Sequence, residues 1–162
     1  MTFLICKPED SLCFEELCHE NSVSKVLSSI VSVVSKSLPK KPKDVITYLE
    51  NIFSKILRSE IDCEKILENK HALAFLDINP QAPIHILIIP KNKYIDFYDF
   101  TQNGSAQEIK HFWELVNDVI NKKNISDSGF RLITNSGKDG NQDVPHFHVH
   151  LLGGKNLGKM IN

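Results

Sequence analysis

The segment His146-Phe147-His148-Val149-His150 alternates imidazoles with apolar side chains. Side chains on a β-strand point to opposite faces with a period of two. If His146 to Leu152 is a strand, His146, His148 and His150 share one face, and Phe147, Val149 and Leu151 turn the other way into a core. Exposed strand positions usually carry threonine, lysine or serine, so three imidazoles in register are not explained by packing alone. Idle structural histidines are one reading. A metal site is another, since imidazoles two apart on a strand can share a zinc ion. It is less favoured because no further carboxylate or cysteine ligand is spaced nearby in an obvious way. Nucleophilic catalysis is favoured. A neutral imidazole can attack phosphorus when an acceptor on its other nitrogen fixes the tautomer, and flanking histidines can hydrogen-bond the phosphate oxygens. His148, in the middle, is the expected nucleophile.

The residues leading into this strand suit an anion. Asn135-Ser136-Gly137-Lys138-Asp139-Gly140-Asn141-Gln142 is rich in glycine and amide side chains. Such a loop can turn several backbone N–H groups inward, although a plain turn between strands has the same composition.

Other elements must hold these groups in place. Phe130 to Thr134 reads as a strand, as do His71 to Leu76 and His85 to Ile89, the last ended by Pro90. Asn79-Pro80-Gln81-Ala82-Pro83 joins the latter two with strong turn chemistry. Ser105-Ala106-Gln107-Glu108 is a capping-box pattern that opens a long helix. Its apolar stripe is Ile109, Phe112, Trp113, Val116, Val119 and Ile120, and it ends at Asn124 or at Asp127-Ser128-Gly129. Ile46 to Leu57 reads as a helix. Strands separated by one long helix predict an α+β domain on an antiparallel sheet.

Pro39-Lys40-Lys41-Pro42 reads as a linker. Before it, Val23, Val26, Leu27, Ile30, Val31, Val34 and Leu38 recur at helical spacing, with a weaker helix around Leu12 to Leu17. Residues 1–44 are therefore expected to form a helical extension that packs on the main domain, with a partner-binding or membrane-surface helix as the lesser alternative. The main domain is placed at 45–162.

The chain has 162 residues, 41% hydrophobic and 24% charged, with a net charge of -1. This suits a single globular domain plus a small addition, and gives no electrostatic footprint for nucleic acid. No apolar run is long enough to span a bilayer. Cys6, Cys13, Cys18 and Cys63 lack Cys-x-x-Cys spacing and read as reduced thiols in a cytoplasmic protein. The early acidic residues, from Glu9 to Glu20, argue against a transit peptide.

From about Ile52 to Gly154 the sequence resembles the histidine triad family of nucleotide hydrolases and transferases. His146 to Leu152 fits the family's alternation of histidine with hydrophobic residues. The blocks Ile52-Phe53, Lys55-Ile56 and Glu60-Ile61, then Leu73 to Pro83, then His85 to Pro90, also match. Leu152-Gly153-Gly154 resembles the Hint branch, the nucleoside phosphoramidases, more than the Fhit branch of dinucleoside polyphosphate hydrolases. The resemblance implies that His148 forms a nucleotidyl-histidine intermediate with AMP. It implies that His150 contacts the phosphate, that His146 completes the polar network, and that His85 sits near the leaving group and helps protonate an amine. It assigns the ribose hydroxyls to Asp77, whose carboxylate suits them as an acceptor. Ile52, Phe53, Ile61, Phe75 and Ile78 would wall the base, and Asn135, Asn141 and the backbone near Asp143 would line the phosphate. A homodimer, a purine nucleotide substrate and no cofactor are implied as well.

Three departures from the family pattern stand out. Asn51 and Ser54 occupy the positions of a Cys-x-x-Cys pair that helps hold a structural zinc in many bacterial relatives, so no zinc is expected. Asp143 replaces the usual serine and would repel a phosphate unless protonated or turned away. The tail from Lys155 to Asn162 lacks the usual tryptophan and prolines. The expected reaction is hydrolysis of a purine nucleoside phosphoramidate. The alternatives are dinucleoside polyphosphate hydrolysis, nucleotidyl transfer, and a non-catalytic nucleotide-binding adaptor.

Overall fold

The structure is a computed structural model and describes residues 51–160. The helices expected within residues 1–44, and the first half of the helix expected from Ile46, lie outside the described residues. The elements run in the order α1 (Ile52–Leu57), β1 (Lys65–Glu68), β2 (Ala72–Leu76), β3 (Ile84–Pro90), α2 (Phe97–Asn103), α3 (Ala106–Lys122), β4 (Phe130–Ile133) and β5 (Val149–Gly153). The five strands form one antiparallel sheet in the order β1-β2-β3-β5-β4. Helix and sheet are segregated as expected for an α+β domain. No helix among the described residues is long and apolar enough to cross a membrane.

The period of two along each central strand sorts side chains between two layers. Ala72 and Ala74 of β2, Ile86 and Ile88 of β3, and Val149 and Leu151 of β5 face one way. They pack with Phe112, Leu115, Val116, Val119 and Ile120 of α3 into the larger core. Leu73, Phe75, Leu87 and Ile89 face the other way and pack with Phe53 and Ile56 of α1 into a smaller one. The alanines of β2 let α3 approach the sheet closely. The smaller core shares its face with the histidines, so α1 covers the part of the sheet that the chemistry leaves free.

Helix α3 begins where the capping-box pattern puts it. The Ser105 Oγ accepts from the Glu108 N–H at 3.2 Å, and the Ser105 N–H donates to Glu108 Oε2 at 2.9 Å. Its end is set by Lys123 as C-cap and by Asn124, whose φ of 53° is the left-handed conformation that stops helices. Ser105→Ala is expected to cost about 1 kcal/mol of stability, read as a lowered urea midpoint with unchanged slope.

The structure corrects three expectations and adds two elements. Asn51 has extended backbone and caps α1 by accepting from the Ser54 N–H at 2.9 Å, so a single helix from Ile46 to Leu57 does not form. Trp113 is 39% exposed and Leu115 takes its expected place in the core. Strand β1 and helix α2 were not anticipated. The final strand begins at Val149, and His146, Phe147 and His148 lie just before it, although their alternation of faces continues.

Candidate active site

Phe147 anchors the histidine segment. It is fully buried, with its ring 4.7 Å from that of Phe100 and 5.2 Å from that of Phe112. With Phe147, Val149 and Leu151 committed to the α3 side, parity sends His146, His148 and His150 to the other face. There the Phe53 ring meets His148 edge-on at 5.2 Å and His146 at 6.0 Å. His85 arrives from β3. Its register partner on β5 is Leu152, and Leu87 pairs with His150, so His85 and His150 are diagonal neighbours on one face.

Backbone groups dictate where each imidazole keeps its proton. A carbonyl oxygen only accepts, so the 2.9 Å contact of His146 Nε2 with the Pro90 carbonyl puts the His146 proton on Nε2. The 2.7 Å contact of His148 Nδ1 with the His146 carbonyl puts the His148 proton on Nδ1. His148 Nε2 therefore keeps its lone pair. The Gln81 N–H donates to His85 Nδ1 at 3.1 Å, so the proton of His85 is on Nε2. His85 Nε2 lies 2.9 Å from His150 Nδ1 and donates to it, which leaves Nε2–H as the free donor of His150.

Burial holds the rings of His146, His148 and His150 neutral. It lowers the pKa of His146 to about 4, and it lowers that of His148. His150 also falls to about 4, through burial first and then the neighbouring His148 and His85. A neutral His148 with a bare Nε2 is the form that attacks an electrophile. The same burial makes the fold acid-sensitive. An unfolded histidine binds its proton near pH 6.5, whereas folded His146 binds one only near 4. Between those values the unfolded chain holds more protons, so stability falls as pH falls. The full effect for His146 is on the order of 3 kcal/mol. Urea unfolding at pH 7.5 and pH 4.5 should show the midpoint dropping in acid, and His146→Gln should flatten part of that dependence.

The structure supplies the carboxylate that sequence spacing does not reveal. Asp77 Oδ2 is 3.3 Å from His85 Nε2 and 4.0 Å from His150 Nδ1, a spacing that three ligands of a metal ion could adopt. The tautomer of His85 opposes a metal there. With Nδ1 already accepting from Gln81, a metal on Nε2 would require an imidazolate. The structure brings His85 and His150 together, and the 2.9 Å contact of His85 Nε2 with His150 Nδ1 lets His85 orient the His150 ring. At the positions of the family's Cys-x-x-Cys pair, Asn51 and Ser54 form the cap of α1.

The other expected residues divide. Phe53 and Phe75 are buried with ring centroids 5.9 Å apart, while Ile52, Ile61 and Ile78 are exposed. The loop before the histidines is less of an anion cradle than its composition suggests. The Asn141 and Gln142 N–H groups donate to Lys138 and Gly137 carbonyls, and the Gly137 N–H to the Gln142 side chain. Gly140 is required because a Cβ there would lie 2.4 Å from the Ser136 carbonyl oxygen. Asn141 is exposed, Asn135 half-buried. Asp143 is exposed, and its charge acts on His148 and His150 to favour their protonation. Sequence reasoning missed Thr134, whose hydroxyl donates to the His148 carbonyl at 2.8 Å, and the Gln81 N–H. The threonine ends a predicted strand and could have been weighed; a backbone donor leaves no mark in a sequence.

Comparison with known proteins identifies the family. The HIT domain family matches residues 58–157. A HIT-like protein of Azospirillum brasilense is 49% identical, over 68% of this chain and 91% of that protein. The purine nucleoside phosphoramidase of Escherichia coli K12 is 40% identical, over 69% of this chain and 93% of the enzyme. Among solved structures, a HIT family hydrolase from Clostridium thermocellum superposes with a TM-score of 0.64 at 36% identity, covering 70% of this chain and 97% of that one. With the histidines, the sheet and the relatives in agreement, the chain belongs to the histidine triad family, as a Hint-like member.

Proposed function

We propose that the protein hydrolyses purine nucleoside phosphoramidates, releasing a nucleoside monophosphate and an amine. The observation that carries this reading is the 2.7 Å hydrogen bond from His148 Nδ1 to the His146 carbonyl, which leaves Nε2 as a neutral nucleophile. In the first step the Nε2 lone pair attacks phosphorus in line with the P–N bond. That bond breaks, and the amine departs with its electron pair and takes a proton from solvent. In the second step water attacks phosphorus, the P–Nε2 bond returns its pair to His148, and the proton of water passes to solvent. His150 donates its Nε2–H to the phosphoryl oxygens, where charge builds in both transition states. Asp77 takes the ribose hydroxyls, and the exposed Ile52, Ile61 and Ile78 take the base. No cofactor enters the scheme.

The 40% identity to a purine nucleoside phosphoramidase supports this substrate class over dinucleoside polyphosphates. Side-by-side turnover of adenosine phosphoramidate and diadenosine polyphosphates tests it. Faster release of AMP from the phosphoramidate is expected. A clear preference for the dinucleotide would replace the reading, and tight AMP binding without turnover of either would make the protein a nucleotide-binding adaptor. We place it in the cytoplasm as a homodimer.

A further inference from the structure

Asp77, His85 and His150 contain a competition that the hydrolytic scheme alone does not use. The Asp77 carboxylate is held by the Asn79 N–H, which donates to Oδ1 at 2.8 Å. This leaves Oδ2 facing the histidines, 3.3 Å from His85 Nε2. The same Nε2–H lies 2.9 Å from His150 Nδ1. The hydrogen bond is the one to His150, and the Asp77 carboxylate stands beside it as a second acceptor within reach of the same proton. The imidazole nitrogen is nearer, but the carboxylate is charged, and charged acceptors form the stronger hydrogen bonds. His85 cannot settle the competition by moving its proton to Nδ1, because the Gln81 N–H already points there. The side chain of Asp77 is only 14% exposed, so little water is present to screen it.

We propose that Asp77 is a positioning residue that couples the sugar to the phosphate end of the site: ribose hydroxyls donating to Oδ2 relieve its pull on the His85 Nε2–H and strengthen the hydrogen bond that His85 donates to His150. With its Nδ1 engaged, His150 is locked in the orientation and tautomer that aim its Nε2–H at the phosphate. The ribose then acts on the chemical step and not on binding alone, which selects ribonucleotides by rate. The inference rests on the nucleotide reading above and on Asp77 meeting the ribose. It goes further in assigning the sugar an effect on catalysis.

The test compares adenosine phosphoramidate with its 2′,3′-dideoxy analogue in the wild type and in Asp77→Asn, which keeps an oxygen for the Asn79 N–H. Loss of the hydroxyls is expected to lower the wild-type kcat by about tenfold at saturation, since an interaction felt in the transition state moves kcat and uniform binding moves only KM. In Asp77→Asn the kcat ratio of the two substrates should fall close to one. Equal kcat values in the wild type, with only KM raised, would overturn the coupling and leave the hydrolase reading intact. Retention of the tenfold ratio in Asp77→Asn would also overturn it. Should the wild type turn over neither substrate, the hydrolase reading fails, and 15N NMR of the imidazoles decides the coupling by itself. AMP should shift the His85 and His150 ring nitrogens where saturating 2′,3′-dideoxy-AMP does not. Identical spectra in the two complexes, or binding of neither nucleotide, would overturn it.

Discussion

His148→Ala is expected to reduce kcat for adenosine phosphoramidate by on the order of 10⁴-fold or more, while AMP binding changes little. The size follows from what is removed. A covalent route needs the Nε2 lone pair, and no other imidazole of the site can replace it. His146 is fully buried with Nε2 spent on the Pro90 carbonyl, and His150 presents a proton at Nε2, not a lone pair. On the proposed function little binding is lost, because Asp77, the exposed isoleucines and His150, assigned there to the nucleotide, all remain. The residual rate reflects hydrogen bonding and alignment alone. Steady-state kinetics and a calorimetric AMP titration on the same preparations separate the two effects. Equal rates for the two proteins would refute the assignment. A rapid quench of the wild type should also show one adenylyl group on the chain, located at His148, and the variant should show none.

Phe147→Ala is expected to destabilise the fold by about 3–5 kcal/mol, the range for emptying a buried aromatic site. The ring sits among Phe97, Phe100 and Phe112, with centroids at 6.0, 4.7 and 5.2 Å, and none of these can collapse into the gap without leaving its own contacts. Domains of this size have total stabilities of about 5–15 kcal/mol, so the loss is a large fraction. Urea unfolding measures it directly. Phe147 also pins the main chain between two histidines, so the surviving folded fraction should have lower kcat. Phe147→Leu, which fills most of the volume, should recover much of both losses. A Phe147→Ala protein with an unchanged urea midpoint would show that the aromatic cluster does not hold the segment.

The parts of this molecule that were legible in its sequence are those governed by side-chain periodicity. Alternation at His146 to Leu151 gave the two faces of β5, because parity alone decides which side chains meet α3. The Ser105–Glu108 pair marked the start of α3 because capping is a local side-chain exchange. Legibility failed where structure depends on distant partners. Strand β1 is a four-residue edge with charged ends, paired on one side across a register irregularity, so its sequence need not alternate. Helix α2 buries only Phe100 and shows no stripe, although Asp96 caps it by accepting from the Asp99 N–H. Trp113 fits the stripe of α3 but stands at its margin, where a large ring reaches solvent. The site divides in the same way. His148 was named by its neighbours in sequence. Asp77 was assigned to the sugar by family likeness, but its place beside His85 and His150 depends on the β2–β3 connection folding back.

Main-chain atoms choose the tautomers of three histidines: the Pro90 carbonyl for His146, the His146 carbonyl for His148 and the Gln81 N–H for His85. A mutational scan would be almost blind to this control. Most exchanges at the exposed position 81 swap a side chain and leave the controlling atom in place, so it would score as tolerant. Only proline at 81 deletes the donor outright. A residue can thus be freely variable in composition and still be indispensable through its peptide group.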